Sequence, residues 1–335
     1  MASDTTWWNQ TGSQLLALGD WCAREGRRAP VRLVLHVAVG VAFLWLFLRQ
    51  VDLGPALAAA GRASILPLSI ALAAYAADFL LRAARFWLLL MRASGQSLPW
   101  ARVPGPFIAS FGISDLLPLR AGDVFRLLWF QRNMGLRSGT VLGAMMVERF
   151  FDLFTLLLLG LGIFAWHVAG DWLFCLMLLI LVCGVAGLLV LIGSRMAEKA
   201  GSMRHKWLAW LVSAIGCFQM LRSLRLLAGL TAMSLLCWLL EAMVMMGAWI
   251  SLNGAVERWA APMAAFVGST LGTLFPGLPG HFGTFELFGL EIFSRSGVEP
   301  GFAAAVLLLA HLLLWAPTAL FAILWLPLSG SGKTA

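Results

Sequence analysis

The sequence predicts an all-α polytopic membrane protein with about six full transmembrane helices and two re-entrant helical hairpins. Three observations predict it. Of 335 residues, 61% are hydrophobic and only 12% are charged, about half the roughly 25% usual in soluble domains. Several apolar runs reach the roughly 20 residues that cross a hydrocarbon core as a helix. Two further apolar stretches are broken by proline and glycine. A transmembrane β-barrel is excluded, because its strands would alternate polar and apolar residues over ~10 positions.

Residues 1–30 are polar and Trp-bearing and read as a cytoplasmic N-terminal segment. The first apolar run starts at Val31, too late and too long for a cleaved signal peptide. It reads as a retained first helix, Val31–Leu48, preceded by Arg24, Arg27 and Arg28. A second span covers Ile65–Met91, followed by Arg92 and Arg102. Residues 103–130 are apolar but interrupted by Pro104, Pro106, Gly112, Pro118 and Gly122, the first hairpin. A third span, Val141–Val168, turns at Gly170–Asp171 into a fourth, Trp172–Gly193. The basic segment Arg195–Arg225 follows, and its middle, Trp207–Leu221, is expected to lie along the interface as an amphipathic helix. The fifth span is Leu226–Leu252. Residues 260–295 are interrupted by Pro276, Gly277, Pro279, Gly280 and Gly283, the second hairpin. Phe302–Leu326 is the sixth span. The integral membrane domain thus runs over 31–327, and 328–335 form a cytoplasmic tail.

If each hairpin returns to its own side, the spans alternate. All 24 Lys and Arg except Arg49, Arg62, Arg258 and Arg295 then fall on the cytoplasmic side or at its edge. That satisfies the positive-inside bias and places both termini in the cytoplasm. The net charge of +8 is thereby a topology signal, and no nucleic-acid partner is expected. Span two, the first hairpin and span three form one unit. Span five, the second hairpin and span six form another of inverted topology, an arrangement found in transporters. The hairpin tips share a pattern: proline, a basic or potentially basic residue, glycine, then an acid. Pro118, Arg120, Gly122 and Asp123 carry it in one, and Pro279, His281, Gly283 and Glu286 in the other.

Irregular backbone at membrane depth survives only against protein or a water-filled cavity, so the hairpins imply a polar interior. Ionisable groups within spans face such a cavity or a partner. Asp78, Arg82 and Arg85, at i, i+4 and i+7, share one helical face. In "VERFFD", Glu148 and Asp152 share a face, with Arg149 beside them. Glu241 lies mid-span without a local basic partner. The functional reading is a cavity where Arg82, Arg85, Arg120 and Arg126 receive a phosphate-bearing headgroup, since the arginine fork donates bidentately to phosphate. The competing reading pairs these charges with Asp123, Glu148, Arg149 and Asp152 to fix helix packing, or lets Arg82 and Arg85 snorkel to the surface. At the second tip, one reading has a protonated His281 meet Glu286 or substrate phosphate, and the competing reading makes His281 a satisfied structural histidine in a tight loop. No HExxH or Cys/His cluster points to a metal, and no cofactor is implied. Cys22, Cys175, Cys183, Cys217 and Cys237 are scattered and read as small hydrophobes. Trp45, Trp166, Trp172, Trp249, Trp259 and Trp325 at span ends read as an interfacial belt.

"LLPLRAGDVFRLLWF", then "VERFFDL", then "FPGLPGHFGTFE" resembles, in that order, the lysylphosphatidylglycerol synthase transmembrane (flippase) domain family. This is the membrane half of the multiple peptide resistance factor, and the family includes stand-alone members associated with hopanoid or polyprenyl-lipid pathways. The resemblance covers roughly residues 30–327. It implies a flippase of the bacterial cytoplasmic (inner) membrane that moves a membrane lipid between leaflets. The full resistance factor adds a soluble aminoacyl-transferase domain. This chain stops at Ala335, so it is expected to be no enzyme and to make no aminoacylated lipid. His281 departs from the small or glycine-rich tip expected of the family.

Other readings stay open. A secondary transporter of a small anionic solute fits the Arg-rich hairpin, and a non-catalytic subunit of a lipid-biosynthesis complex fits the composition. A transferase using Asp123, His281 or Glu286 as a base lacks a recognisable motif. No GxxxxGK[ST] loop is present, which argues against ATP hydrolysis by this chain. The sequence leaves the lipid, the direction, the energy source and any homo-oligomer undefined.

Overall fold

A computed structural model describes residues 30–51, 54, 58, 60–118, 120–167, 171–196 and 214–331. The N-terminal segment, the turn at Gly170, residues 207–213 of the expected amphipathic helix and the last four residues of the tail lie outside the described residues. Among the described residues all regular structure is helical. The helices are α1 (Pro30–Leu48), α2 (Ile65–Ser94), α3 (Pro104–Leu116), α4 (Ala121–Met134), α5 (Ser138–His167), α6 (Asp171–Met196), α7 (Leu224–Ser251), α8 (Ala260–Gly272), α9 (Thr284–Arg295) and α10 (Pro300–Ser331). The chain is an all-α polytopic membrane protein.

Local chemistry sets the helix ends. Gly95 stops α2 in the left-handed conformation, φ 68°, and its N–H donates to the Met91 carbonyl. Such a turn suits glycine because it lacks a Cβ. Pro104 opens α3 at a position that needs no N–H donor. The Ser223 hydroxyl accepts from Leu226 N–H at the start of α7. Among the described residues, α2, α7 and α10 are long and apolar enough to cross a membrane. Helix α5 is as long, with 30 residues, but carries Glu148, Arg149 and Asp152 in its middle. Helices α3, α4, α8 and α9 have 12 to 14 residues. At 1.5 Å per residue each is about 20 Å long, short of the roughly 30 Å hydrocarbon core.

The helices form two units of matching order, α2–α5 and α7–α10. Each is a long helix, two short ones and a long helix. The leading helices α2 and α7 pack on each other, and each hairpin packs on the last helix of the other unit, α3 on α10 and α8 on α5. Helix α3 runs along the C-terminal half of α10. Gly105 faces the Trp325 indole, Gly112 faces the Thr318 carbonyl, and Asp115 accepts from the Thr318 hydroxyl at 2.7 Å. Helix α9 runs along the N-terminal half, with Phe285 against His311 and Gly289 against Leu307. The hairpins therefore approach α10 from opposite ends, as an inverted repeat requires. Their tips meet between His311 and Thr318, near its midpoint. A Cβ on Gly112 would collide with the Thr318 carbonyl, so the closeness of α3 and α10 depends on glycine.

The outward faces are apolar. Ile65 is 79% exposed, and Leu66, Leu320 and Leu324 are also exposed, as a lipid-facing surface allows. Phe86, Phe107, Phe130 and Phe151 fill the interior. Among the described side chains, which do not include those of Trp166 and Trp172, one belt tryptophan differs from expectation. Trp249 is buried, stacked on Phe293 at 5.7 Å and edge-on to Phe302 at 5.1 Å. Its indole N–H donates to the Ala255 carbonyl. The second hairpin and α10 cover the end of α7, so this tryptophan belongs to the core, whereas Trp45 and Trp259 stay exposed.

Candidate functional site

A cavity of about 760 Å³ lies where the tips converge, walled by α2, α3, α4, α5, α7, α10 and both tips. Of the residues singled out in the sequence, Arg82, Arg120, Asp123, Arg126, Arg149, Asp152 and His281 line it. Arg85, Glu148 and Glu286 stand behind its wall.

The wall is an ion network. Arg82 Nε donates to both Asp78 carboxylate oxygens at 2.8 Å, one turn earlier on α2. Its Nη2 pairs with Glu241 of α7, and its guanidinium lies 4.7 Å over the Trp238 ring. Glu241, with no basic neighbour in sequence, thus has one across the helix interface. Arg85 lies 2.6 Å from Asp152 of α5 and donates to Ser234 Oγ at 2.5 Å. Arg126 donates to Glu148 at 2.8 Å and Ser110 at 3.0 Å, and sits 4.5 Å over Phe107. Arg82, Arg85 and Arg126 are at most 4% exposed. Charges stripped of water persist only where partners compensate them, and here protein carboxylates do so. Arg82 and Arg85 are buried against α5 and α7 and do not snorkel to the surface.

The tips differ from the wall. Arg120 adopts the left-handed conformation, φ 52° and ψ 45°, and among the described residues no side chain pairs with its guanidinium. His281 is also left-handed, φ 61°, and among the described residues its buried Nδ1 has no hydrogen-bond partner. Non-glycine residues rarely occupy this region, and such strain concentrates at functional segments. Next to Arg120, Asp123 pairs with Arg149 of α5 at 3.0 Å, partly exposed to the cavity.

At the second tip the sequence places Glu286 beside His281, but its partner is His311 of α10. Glu286 Oε1 lies 2.5 Å from His311 Nδ1, and Oε2 accepts from Gly283 N–H at 2.7 Å. His311 Nε2 lies 2.7 Å from the Gly280 carbonyl. The imidazole packs between Phe282 and Phe285, with centroids 4.4 and 4.6 Å away. Sequence reasoning missed His311 because a lone histidine in a long apolar helix has no local signature. Among the described residues no group of three or more His, Cys, Asp and Glu side chains is placed to hold a metal.

The model of the family described as lysylphosphatidylglycerol synthase TM region matches residues 33–322. The chain belongs to this family. The match takes in both hairpins, the ion network and His311. A search of curated proteins gives no match. Within the lysylphosphatidylglycerol synthase transmembrane-region family, then, this member combines a paired ionic wall with two strained tips that carry Arg120 and His281 into the cavity.

Proposed function

We propose that the protein moves a phosphate-bearing or otherwise polar-headgroup lipid between leaflets of the bacterial cytoplasmic membrane, with both termini cytoplasmic. The headgroup passes through the cavity between the hairpin tips. The observation that carries the reading is the Arg120 guanidinium, unpaired among the described residues, in a charged cavity whose other arginines are mostly matched by carboxylates. Arg120 offers a planar donor fork to phosphate, and His281 Nδ1 adds a polar group with no competing partner among the described residues. Arg82, Arg85, Arg126, Glu148 and Asp152 shape and neutralise the wall. Arg149 and Asp123 hold the first tip to α5.

Size and lining agree with this. The volume falls within the roughly 300–1,000 Å³ of small-molecule sites, enough for a headgroup but not for acyl chains. Leu117, Leu274 and Phe275 line the cavity and are strongly exposed. They form an apolar lip over which the chains stay in the bilayer. The hairpins are re-entrant, because their short helices end at mid-α10. The chain itself performs no covalent step in this reading and calls for no cofactor.

The test is lipid retention. Wild-type protein and Arg120→Gly, purified in mild detergent, are compared by native mass spectrometry. The expected result is an anionic phospholipid on the wild type that is strongly depleted on Arg120→Gly. Equal lipid on both removes Arg120 from headgroup binding.

A further inference from the structure

We infer that His311 and Glu286 form a single-proton site that latches the second hairpin tip to α10, and that losing this proton releases the tip. The inference holds whatever cargo the cavity carries.

The hydrogen-bond geometry requires the proton. The Gly280 carbonyl can only accept, so His311 Nε2 must donate to it at 2.7 Å. The 2.5 Å contact between His311 Nδ1 and Glu286 Oε1 then needs one more proton. Either the imidazole is doubly protonated beside a carboxylate, or a neutral imidazole accepts from a carboxylic acid. Both states hold one proton between the two groups. Release of that proton to the cavity leaves the Nδ1 lone pair facing a carboxylate oxygen, two acceptors in contact at low dielectric.

The contacts made by the pair fix the shape of the tip. Glu286 holds Gly283 N–H and His311 holds the Gly280 carbonyl. Between them, Gly280, His281 and Gly283 all have positive φ, 69°, 61° and 91°. A conformation this strained persists while its surroundings hold it. Loss of the proton therefore removes the contact that holds the tip against α10.

The internal symmetry sets this pair apart. Counting from Ser138 and Pro300, Arg149 is the twelfth residue of α5 and His311 the twelfth of α10. Counting from Ala121 and Thr284, Asp123 and Glu286 are the third residues of α4 and α9. Each unit thus ties the acid after its tip to a basic residue at the same place in its last helix. In the first unit that residue is arginine, which keeps its charge at every physiological pH. In the second it is histidine, which does not. One latch is permanent and the other is switchable by a proton.

The charged and titratable groups that share the cavity with His311 are Asp115 on α3, Glu241 on α7, Tyr75 on α2, Arg149 on α5, the paired network residues Arg82, Asp123, Arg126 and Asp152, and Arg120 and His281 at the tips. The first four have other partners: Thr318, Arg82, the Leu314 carbonyl and Asp123. His281 and Arg120 set the local field without touching the pair.

The test follows the full-length protein in lipid nanodiscs across pH. The His311 imidazole is observed by ¹⁵N NMR and assigned by its absence in His311→Gln. Hydrogen exchange of the 276–286 segment is measured on the same samples and corrected for intrinsic pH dependence. In the wild type, His311 is expected to lose a proton as pH rises, and exchange at the tip should increase in the same step by about tenfold or more, the effect of losing one charge-assisted hydrogen bond. Glu286→Gln carries an amide N–H in place of the acidic proton. It can still accept from Gly283 and donate to Nδ1, so its tip should stay slow to exchange throughout. An imidazole step in the wild type without a change in tip exchange overturns the proposal, whether or not Glu286→Gln folds. So does the same exchange step in a folded Glu286→Gln.

Discussion

Arg82 and Glu241 occupy the eighteenth positions of α2 and α7, counted from Ile65 and Leu224, and their side chains join across the interface. The two helices are counterparts in the repeat. The contact therefore lies where the two halves of the molecule meet, and Arg82 also holds Asp78.

Arg82→Ala should destabilise the fold severely. It leaves the buried Asp78 and the cavity-lining Glu241 without their cation, and breaking a buried pair from one side costs about 3–5 kcal/mol. Glu241→Gln, which retains a hydrogen-bond acceptor for Arg82, should cost less. Thermal unfolding of both variants in detergent checks the order. An Arg82→Ala protein as stable as Glu241→Gln would mean that the network does not hold the halves together.

Arg120→Gly should do the opposite. Left-handed φ in a non-glycine residue costs on the order of 1–3 kcal/mol, and glycine removes that cost. The variant should melt at or above the wild-type temperature while losing bound lipid. A clear drop in melting temperature would show that the side chain supports the fold.

Gly112→Val should prevent assembly of the first hairpin. Even a Cβ at this position would meet the Thr318 carbonyl, and added bulk in a packed interface costs typically 1–3 kcal/mol, here against rigid backbone, so roughly the upper end. Size-exclusion chromatography should show aggregated or absent protein. A monodisperse peak at wild-type yield would contradict the close packing of α3 on α10.

Much of this architecture was legible in sequence because helix periodicity and chain-breaking residues are local signals. The i, i+4, i+7 spacing of Asp78, Arg82 and Arg85 implied one face, and Asp78 and Arg82 do meet on it. Pro118, Gly122, Pro279 and Gly283 marked where the hairpins turn. The pairings between helices were not legible, because no local rule couples α2 to α7 or α9 to α10. Thus Glu241 lacked a partner on its own helix, and Glu286 was matched with His281, five residues away, when its partner is His311. His311 gains meaning only when the two units are aligned and it falls opposite Arg149. Trp249 misled for a related reason. A tryptophan at a helix end has the same sequence signature at an interface as beneath a hairpin.

Topology can be tested without transport. A cysteine replacing Glu257, exposed between α7 and α8, should react with a membrane-impermeant maleimide added outside intact cells. One replacing Arg132, exposed near the end of α4, should react only after permeabilisation. The reverse pattern would invert the orientation derived from the arginine and lysine distribution.

The most direct measurement is lipid movement itself. Purified protein is reconstituted into phosphatidylethanolamine–phosphatidylglycerol vesicles that carry a fluorescent, headgroup-intact phosphatidylglycerol. Dithionite quenches only the outer leaflet. Wild-type vesicles should lose fluorescence well beyond the outer-leaflet fraction, whereas protein-free and Arg120→Gly vesicles should stop at that fraction. Wild-type vesicles that stop there too, for this lipid and for zwitterionic and cationic analogues, would contradict lipid translocation by this protein.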